Sequence, residues 1–166
     1  LAQQARYVIQ GMVRGLAAGA ENITWFALIS PFYDSMGQGL LYEDLSPKPA
    51  YYSYQTLTSE LTGWDYARTL SAANVEGYVF GNAGGEEKTV AWANGQAGVA
   101  VPLTITAASQ VRLVDRAGVV TYVQDGGAGD VDGKINGAVT ILLPAPPVDN
   151  DPAAPRYSAE PLFVSK

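Results

Sequence analysis

The sequence contains no cysteine and no histidine, and these two absences exclude several kinds of chemistry. Without cysteine, the chain forms no disulfide and offers no thiolate to a metal. Without histidine, it holds no Ser-His-Asp triad, no Cys-His dyad and no histidine-ligated zinc. Any acid–base chemistry carried by these residues therefore depends on carboxylates, lysine or tyrosine. No cofactor is predicted.

Positive charge is also scarce, because 10 Lys and Arg stand against 16 Asp and Glu, a formal net charge of −6. Duplex nucleic acid and anionic membrane surfaces attract basic faces, so we expect no nucleic-acid partner and no membrane partner. The apolar stretch Tyr7–Ala20 is too short to span a bilayer and contains Gln10 and Arg14. The spacing of its glycines at 11, 15 and 19 resembles the dimer face of a membrane helix, but a small face that lies flat on a neighbouring element is the favoured interpretation.

The first 63 residues show a helix–strand–helix pattern. Apolar side chains three and four residues apart predict a helix over Leu1–Gly19. The nearly all-apolar run Glu21–Ser30 is typical of a strand covered on both faces. A second helix is predicted over Ser46–Leu61, with Ser46 as its cap and Pro47 at its first position. A lone strand of this kind lacks neighbours, so residues 1–63 are expected to belong to a larger α/β domain.

After Trp64 the apolar period changes to two, and turn signals such as Asn94-Gly95 and Asn136-Gly137 separate short strands. Short strands at this spacing predict an antiparallel β-sandwich over residues 64–166. The fold class is therefore α+β. The strands are predicted at Tyr66–Ser71, Glu76–Gly81, Lys88–Ala93, Ala100–Thr106, Gln110–Asp115, Val119–Gln124, Ala138–Leu143 and Leu162–Val164.

One stretch resembles a known family. Gly39-Leu-Leu41, the acidic turn Glu43-Asp44 and Pro47-Lys-Pro-Ala-Tyr51 resemble the end of the glycoside hydrolase barrels of the large retaining clan, where such a run opens the last barrel helix. The strand bearing Trp25 resembles the last barrel strand. The later strands resemble the small β-sandwich that often follows such barrels. The resemblance implies that residues 1–63 are the last elements of an incomplete (β/α)8 barrel and that residues 64–166 are an accessory β-sandwich.

The resemblance also implies a function. In that clan two glutamates act as acid/base and nucleophile, at the ends of the fourth and seventh strands, and both positions would lie before Leu1. The chain alone is therefore expected to be catalytically inert. The predicted substrate-binding residues are Trp25 and the loop residues Phe32, Tyr33 and Asp34, because they lie on or just after the last strand. The alternative interpretations are a core position for Trp25 and a loop that packs its own aromatic side chains. The expected partners are carbohydrate and either the missing barrel portion or a second copy bound through the exposed strand. The expected location is extracellular or at the cell surface.

Two groups of carboxylates are weighed as sites. Glu43 and Asp44 are adjacent in sequence and are interpreted as a solvated turn. Asp125, Asp130 and Asp132 lie in a glycine-rich loop and could supply oxygen ligands to calcium, although the spacing is not that of an EF-hand and a plain hairpin loop is favoured.

A rival hypothesis treats the sandwich as a non-catalytic carbohydrate-binding or structural module. Such a module would expose a row of aromatic side chains on one sheet, and Tyr78, Phe80, Trp92 and Tyr122 are available. Because Tyr78, Phe80 and Trp92 lie in apolar-rich strands, core placement is favoured for them.

Overall fold

The computed structural model describes residues 1–29, 37–147 and 159–166 of the 166-residue chain. Within them lie two helices and eight strands. The helices are α1 (Ala2–Ala17) and α2 (Pro49–Leu61), and the strands are β1 (Asp65–Thr69), β2 (Val75–Gly81), β3 (Glu87–Ala93), β4 (Val101–Thr106), β5 (Gln110–Asp115), β6 (Val120–Gln124), β7 (Ala138–Leu143) and β8 (Leu162–Ser165). In the described part of the chain, neither helix has the length and apolar character that a membrane crossing requires.

Helix α1 is confirmed, whereas the predicted cap and first residue of α2 are each wrong by two residues. The helix begins at Pro49, and Lys48 is its N-cap. Ser46 instead accompanies the turn before it, where its backbone N–H donates to Asp44 Oδ1 at 3.0 Å. The second proline of the Pro-Lys-Pro motif, rather than the first, takes the first helical position, where the missing N–H costs no hydrogen bond.

The predicted strand Glu21–Ser30 does not form a ladder in the described residues. Its pairing there is limited to an isolated parallel bridge between Ile29 and Leu41. Two backbone bonds accompany the bridge, from Leu40 N to the Ala27 carbonyl and from Leu41 N to the Leu28 carbonyl. A β-strand is stabilised by hydrogen bonds to adjacent strands. In the described residues this extended segment bonds only to the short stretch at Leu40 and Leu41. The described structure therefore does not show a barrel fragment.

The antiparallel sandwich is confirmed. One sheet has six strands in the order β1-β2-β3-β8-β5-β6, and the other pairs β4 with β7. Every pairing is antiparallel. The bounds of β5 and β7 agree with the prediction residue for residue. The last strand, β8, enters the middle of the large sheet between β3 and β5, which closes the sheet by a long-range pairing.

The sandwich core lies between the two sheets. Strand alternation places Ala91, Val111 and Val164 on the inner face of the large sheet, and Leu103 and Ile141 on the inner face of the small one. All of these side chains are buried. Their burial explains why every second residue along these strands is apolar.

The opposite face of the large sheet is covered by the helices, and Arg14 of α1 forms the first contact. Its Nη2 lies 2.7 Å from Glu76 Oε2 on β2, and its guanidinium lies 5.2 Å from the centre of the Trp92 ring. The Tyr78 hydroxyl donates to the same carboxylate at 2.9 Å. Burial raises the pKa of Glu76, but the bonds from Arg14 and Tyr78 outweigh it and leave that pKa below 4.5.

Glu60 near the end of α2 forms the second contact. Its side chain is buried and accepts from two cations of the sheet, Lys88 Nζ at 2.7 Å and Arg112 Nη2 at 2.8 Å. Lys88 Nζ also donates to the Glu60 backbone carbonyl at 2.6 Å. The hydrogen bonds from Arg112, followed by those from Lys88, hold the pKa of Glu60 below its usual value.

Glu160, just before β8, forms the third contact. Its carboxylate receives Arg6 of α1 at 2.9 Å and Arg116, which follows β5, at 2.7 Å. The buried Gln10 amide of α1 donates to the neighbouring Ala159 carbonyl at 2.7 Å. The three carboxylates Glu60, Glu76 and Glu160, each bound by arginine, are here called the ionic clamps. They hold both helices to one face of the large sheet.

Replacing Glu60 by Gln should lower the free energy of unfolding by about 3 kcal/mol, because Lys88 and Arg112 then share a buried site without a counter-charge. Chemical denaturation monitored by circular dichroism measures the change. Glu43→Gln is the matched control, since Glu43 is exposed on a turn, and it should change stability by less than about 0.5 kcal/mol. Equal stability of the two variants would contradict the role given to Glu60.

The clamps also predict a pH dependence. The folded-state pKa values of Glu60 and Glu76 are lowered from 4.5, so their stabilisation is present above that value and is lost as the pH falls through the lowered values. Thermal unfolding of the wild type between about pH 7 and pH 3 should show a steep loss below about pH 4.5. Glu60→Gln should flatten that loss, and an unchanged profile in the variant would contradict the assignment.

Candidate functional site

A cleft of about 720 Å³ runs along α1 beside the extended segment Ile23–Phe26. It is here called the Trp25 cleft. None of its described lining residues is charged, and they supply aromatic rings, aliphatic groups and side-chain amides. The lining comprises Gln3, Gln4, Tyr7, Val8, Gly11, Met12, Ile23, Thr24, Trp25, Phe26 and Gln38. Such a surface offers stacking and neutral hydrogen bonds rather than ion pairs.

Trp25 is held in a defined orientation in this cleft. Its indole Nε1 donates to the Gln38 carbonyl at 2.9 Å. Its ring meets Tyr7 of α1 edge-on, with centroids 6.0 Å apart. The Gln4 amide donates to the same Gln38 carbonyl at 2.9 Å, so the start of α1 and residue 38 are tied together around the indole.

The two faces of the segment that carries Trp25 differ. Ile23 and Trp25 are half-buried towards α1, whereas Phe26 and Leu28 are 79% and 58% exposed. A Cβ at Gly15 would lie 2.5 Å from Ile23 Cδ1, so glycine permits this close approach to α1 and explains one of the small residues of the helix. The face that carries Phe26 has no cover in the described residues.

The structure brings only part of the predicted site together. Trp25 lies in the cleft, but Phe32, Tyr33 and Asp34 lie outside the described residues. Glu43 and Asp44 sit on an exposed turn, as interpreted from the sequence. The Ser46 hydroxyl and backbone N–H donate to Asp44, and these two bonds lower its pKa.

The glycine-rich acidic loop uses its carboxylates to close itself. Asp130 accepts the backbone N–H groups of Gly126 at 2.8 Å and Thr140 at 2.9 Å, and these bonds lower its pKa. Asp125 accepts from Gly137 N at 2.7 Å, and Asp132 from Lys134 N at 2.9 Å.

The carboxylates of the acidic loop accept hydrogen bonds from backbone groups of the loop and of the strand that follows it. Over residues 1–29, 37–147 and 159–166, no three carboxylates lie together as metal ligands. The loop joins β6 of the large sheet to β7 of the small sheet, so the predicted hairpin is wrong, because these two strands do not pair with each other.

The aromatic row of the rival hypothesis lies on one face of the large sheet, but the helices cover it. Phe80 and Trp92 are fully buried, which confirms their predicted core placement. Tyr78 is half-buried against Glu76, and Tyr122 near the sheet edge is 59% exposed. The four rings therefore do not form an exposed binding platform.

Sequence reasoning missed a second cleft. It has a volume of about 450 Å³ and lies where Trp64, just after α2, meets the ends of β3 and β8. The only hint of this cleft in the sequence was the position of Trp64, which lies where the helical spacing of apolar residues gives way to the alternation of the strands. Its remaining lining residues come from β3, β5 and β8 and from the residues next to β3 and β8, and the order of these strands in the sheet was not predictable from local patterns.

Comparison with solved structures identifies a similar fold. The chain matches the structure of a family 39 glycoside hydrolase from the gut symbiont Bacteroides cellulosilyticus WH2 with a TM-score of 0.69 and 21% identity. The match covers 97% of this chain and 29% of that chain. This chain is similar in fold to part of a glycoside hydrolase. No protein-family model and no curated protein matches the sequence.

The match supports, at the level of fold, the resemblance read from the Pro-Lys-Pro-Ala-Tyr run. The helices and the sandwich are matched together, since almost the whole chain is covered. Because the chain spans less than a third of that glycoside hydrolase, the activity of such a whole protein belongs to the proposal below.

The bonding of the acidic loop yields a paired prediction. Asp130→Asn removes one acceptor and turns an amide N–H towards a backbone N–H, so it should destabilise the chain by about 1–2 kcal/mol. Asp132→Asn is the matched control, because its carboxylate is exposed, and it should cost less than about 0.5 kcal/mol. Thermal unfolding measures both. Millimolar calcium should leave the wild-type midpoint unchanged, and a clear rise would overturn the interpretation.

Proposed function

We propose that this chain is the C-terminal part of a retaining, barrel-type glycoside hydrolase, comprising the last barrel elements and the accessory β-sandwich that supports them. The observation that carries the proposal is the fold match, in which 97% of the chain corresponds to 29% of a glycoside hydrolase chain. The Pro47-Lys-Pro-Ala-Tyr51 run at the start of α2 supports it independently.

The segment Ile23–Ile29 would be the last barrel strand. Leu40 and Leu41 donate to two of its carbonyls, while Phe26 and Leu28 remain exposed. An extended segment that is apolar on both faces is stable when other strands and a core cover it. The partner proposed for this face is the preceding barrel portion of the same protein, and self-association of the isolated chain is the alternative.

The sandwich would act as a fixed support for the barrel. The ionic clamps bind α1 and α2 to the large sheet, and the core under them includes Trp92 and Phe163. Since α1 and α2 flank the proposed last strand in sequence, holding them against a rigid sheet would hold that strand in place. The sandwich would in this way stabilise one side of the barrel.

Carbohydrate would be the substrate class. Aromatic faces stack on the C–H faces of sugars, and side-chain amides bond to hydroxyl groups, which is the chemistry that the Trp25 cleft offers. Trp25, with Phe32, Tyr33 and Asp34 from the following loop, is proposed to contribute to sugar binding. The proposed location of the protein is extracellular or at the cell surface.

Catalysis would need residues that precede this chain. Retaining hydrolysis requires two carboxyl groups about 5 Å apart on one sugar ring. Among the described carboxylates, Glu60, Glu76 and Glu160 are each bound by arginine at the helix–sheet interface, away from the Trp25 cleft. The two proposed glutamates would lie at the ends of upstream strands, and the present chain alone would be inactive.

The test extends the chain with its natural upstream sequence and assays both proteins on a panel of aryl glycosides. The extended protein should hydrolyse at least one, and Glu→Gln at either proposed upstream glutamate should lower kcat at least about 1,000-fold. The 166-residue chain should show no turnover. An extended protein without barrel strands or paired glutamates would overturn the proposal.

A separate comparison of stability tests whether the preceding barrel portion covers the face that carries Phe26. Phe26→Asp should change the stability of the present chain by less than about 0.5 kcal/mol, because Phe26 is 79% exposed. In the extended protein the same change should cost about 3 kcal/mol, because the charge would enter the barrel. Val119→Asp is the matched control, 59% exposed on a sandwich turn, and should be neutral in both. Equal effects of Phe26→Asp in both proteins would contradict the proposed covering.

A further inference from the structure

The dipeptide Asn-Gly occurs twice in this chain, at Asn94-Gly95 and at Asn136-Gly137. An asparagine followed by glycine is prone to lose its side-chain amide, because glycine has no Cβ to hinder its backbone nitrogen as it approaches the neighbouring side chain. Both asparagines are exposed. The dipeptide alone therefore gives the two sites the same reactivity, and a difference between them has to come from the fold.

The loss of the amide proceeds in two steps. The glycine nitrogen first attacks the asparagine Cγ, so that a bond between them forms while the Cγ–Nδ2 bond breaks, and the proton of the glycine nitrogen leaves with the amide as ammonia. The cyclic imide then takes up one water, which breaks one of its two carbonyl carbon–nitrogen bonds and yields aspartate or isoaspartate. Nothing is oxidised or reduced. The glycine N–H must be free to lose its proton, and the asparagine amide must be free to turn towards it.

At Asn136 both groups are held. The Gly137 N–H donates to Asp125 Oδ2 at 2.7 Å, and a negative charge beside this nitrogen disfavours its deprotonated form. Asn136 Nδ2 donates to Asp132 Oδ2 at 2.8 Å, while Asn136 Oδ1 accepts from Ala138 N at 3.0 Å. The attack would have to break bonds to two carboxylates, and hydrogen bonds to charged groups are the stronger ones.

At Asn94 the corresponding groups are free within the described residues. The Asn94 backbone N–H donates to the Asn74 carbonyl at 2.7 Å, so the main chain is fixed where β3 ends. Among residues 1–29, 37–147 and 159–166, however, the Asn94 side chain has no hydrogen-bond partner and the Gly95 N–H has no acceptor. The amide can therefore rotate towards the Gly95 nitrogen, and its exposure admits water.

The structure assigns Asn94 as a site of spontaneous deamidation to aspartate and isoaspartate, and it assigns Asp125 and Asp132 as the groups that protect Asn136 from the same reaction. The modification adds a negative charge to a chain whose formal net charge is already −6. Isoaspartate also lengthens the main chain by one methylene in the connection between β3 and β4, which joins the two sheets. This proposal does not depend on the hydrolase proposal.

Incubation of the whole 166-residue chain in mildly alkaline buffer, followed by tryptic digestion and mass spectrometry, tests the assignment. Cleavage after Lys88, Arg112 and Lys134 places the two sites on separate peptides. In the folded chain Asn94 should be lost at least about tenfold faster than Asn136, the factor expected when one charge-assisted hydrogen bond must first break. In urea the two rates should become similar, because the dipeptides are the same. Equal rates in the folded chain, or a difference that persists in urea, would overturn the proposal.

Two variants test the protecting role of the carboxylates. Asp125→Ala and Asp132→Ala should each accelerate the loss of the Asn136 amide at least about tenfold and leave the rate at Asn94 unchanged, because each removes one bond that holds the Asn136-Gly137 pair. Glu43→Gln, on an exposed turn, is the matched control and should alter neither rate. Circular dichroism checks that each variant is folded. An unchanged rate at Asn136 in the folded variants would show that the carboxylates do not protect it.

Discussion

Burial of charge between the helices and the large sheet is the constraint on which the rest of the structure depends. Glu60 enters an apolar interface and is accepted there because Lys88 and Arg112 both bind it. A carboxylate without these partners would carry a large desolvation cost. The pair of Arg14 and Glu76 adds a bidentate contact on the same face, so the position of each helix on the sheet is specified by geometry as well as by apolar contact.

This constraint has a consequence for the extended segment between the helices. Its Trp25 side rests against α1, whose position the clamps determine, while no described residue covers its Phe26 side. In the described residues its other face, which carries Phe26 and Leu28, is exposed. The fold similarity to part of a glycoside hydrolase and this open face therefore support the same functional proposal.

Much of the sandwich could be predicted from local patterns because strand alternation is a local property. The predicted strands β5 and β7 agree with the structure at both ends. The start of α2 was misplaced because Ser46 followed by Pro47 is a typical sequence for a helix N-terminus. In the structure, the backbone N–H and the hydroxyl of Ser46 donate instead to Asp44 in the preceding turn. The predicted strand before it failed because pairing depends on neighbours that the described residues do not supply.

The sequence by itself determined the two helices, the eight strands and the absence of cysteine and histidine chemistry, since each depends on residue type and short-range periodicity. Tertiary structure alone decided which charges meet. Glu60 lies 28 residues before Lys88 and 52 before Arg112, and Arg6 lies 154 residues before Glu160. Only strand order brings such pairs together. The same long-range pairing assembled the second cleft, beside Trp64, because β8 brings Ser165 and Lys166 beside β3 and β5.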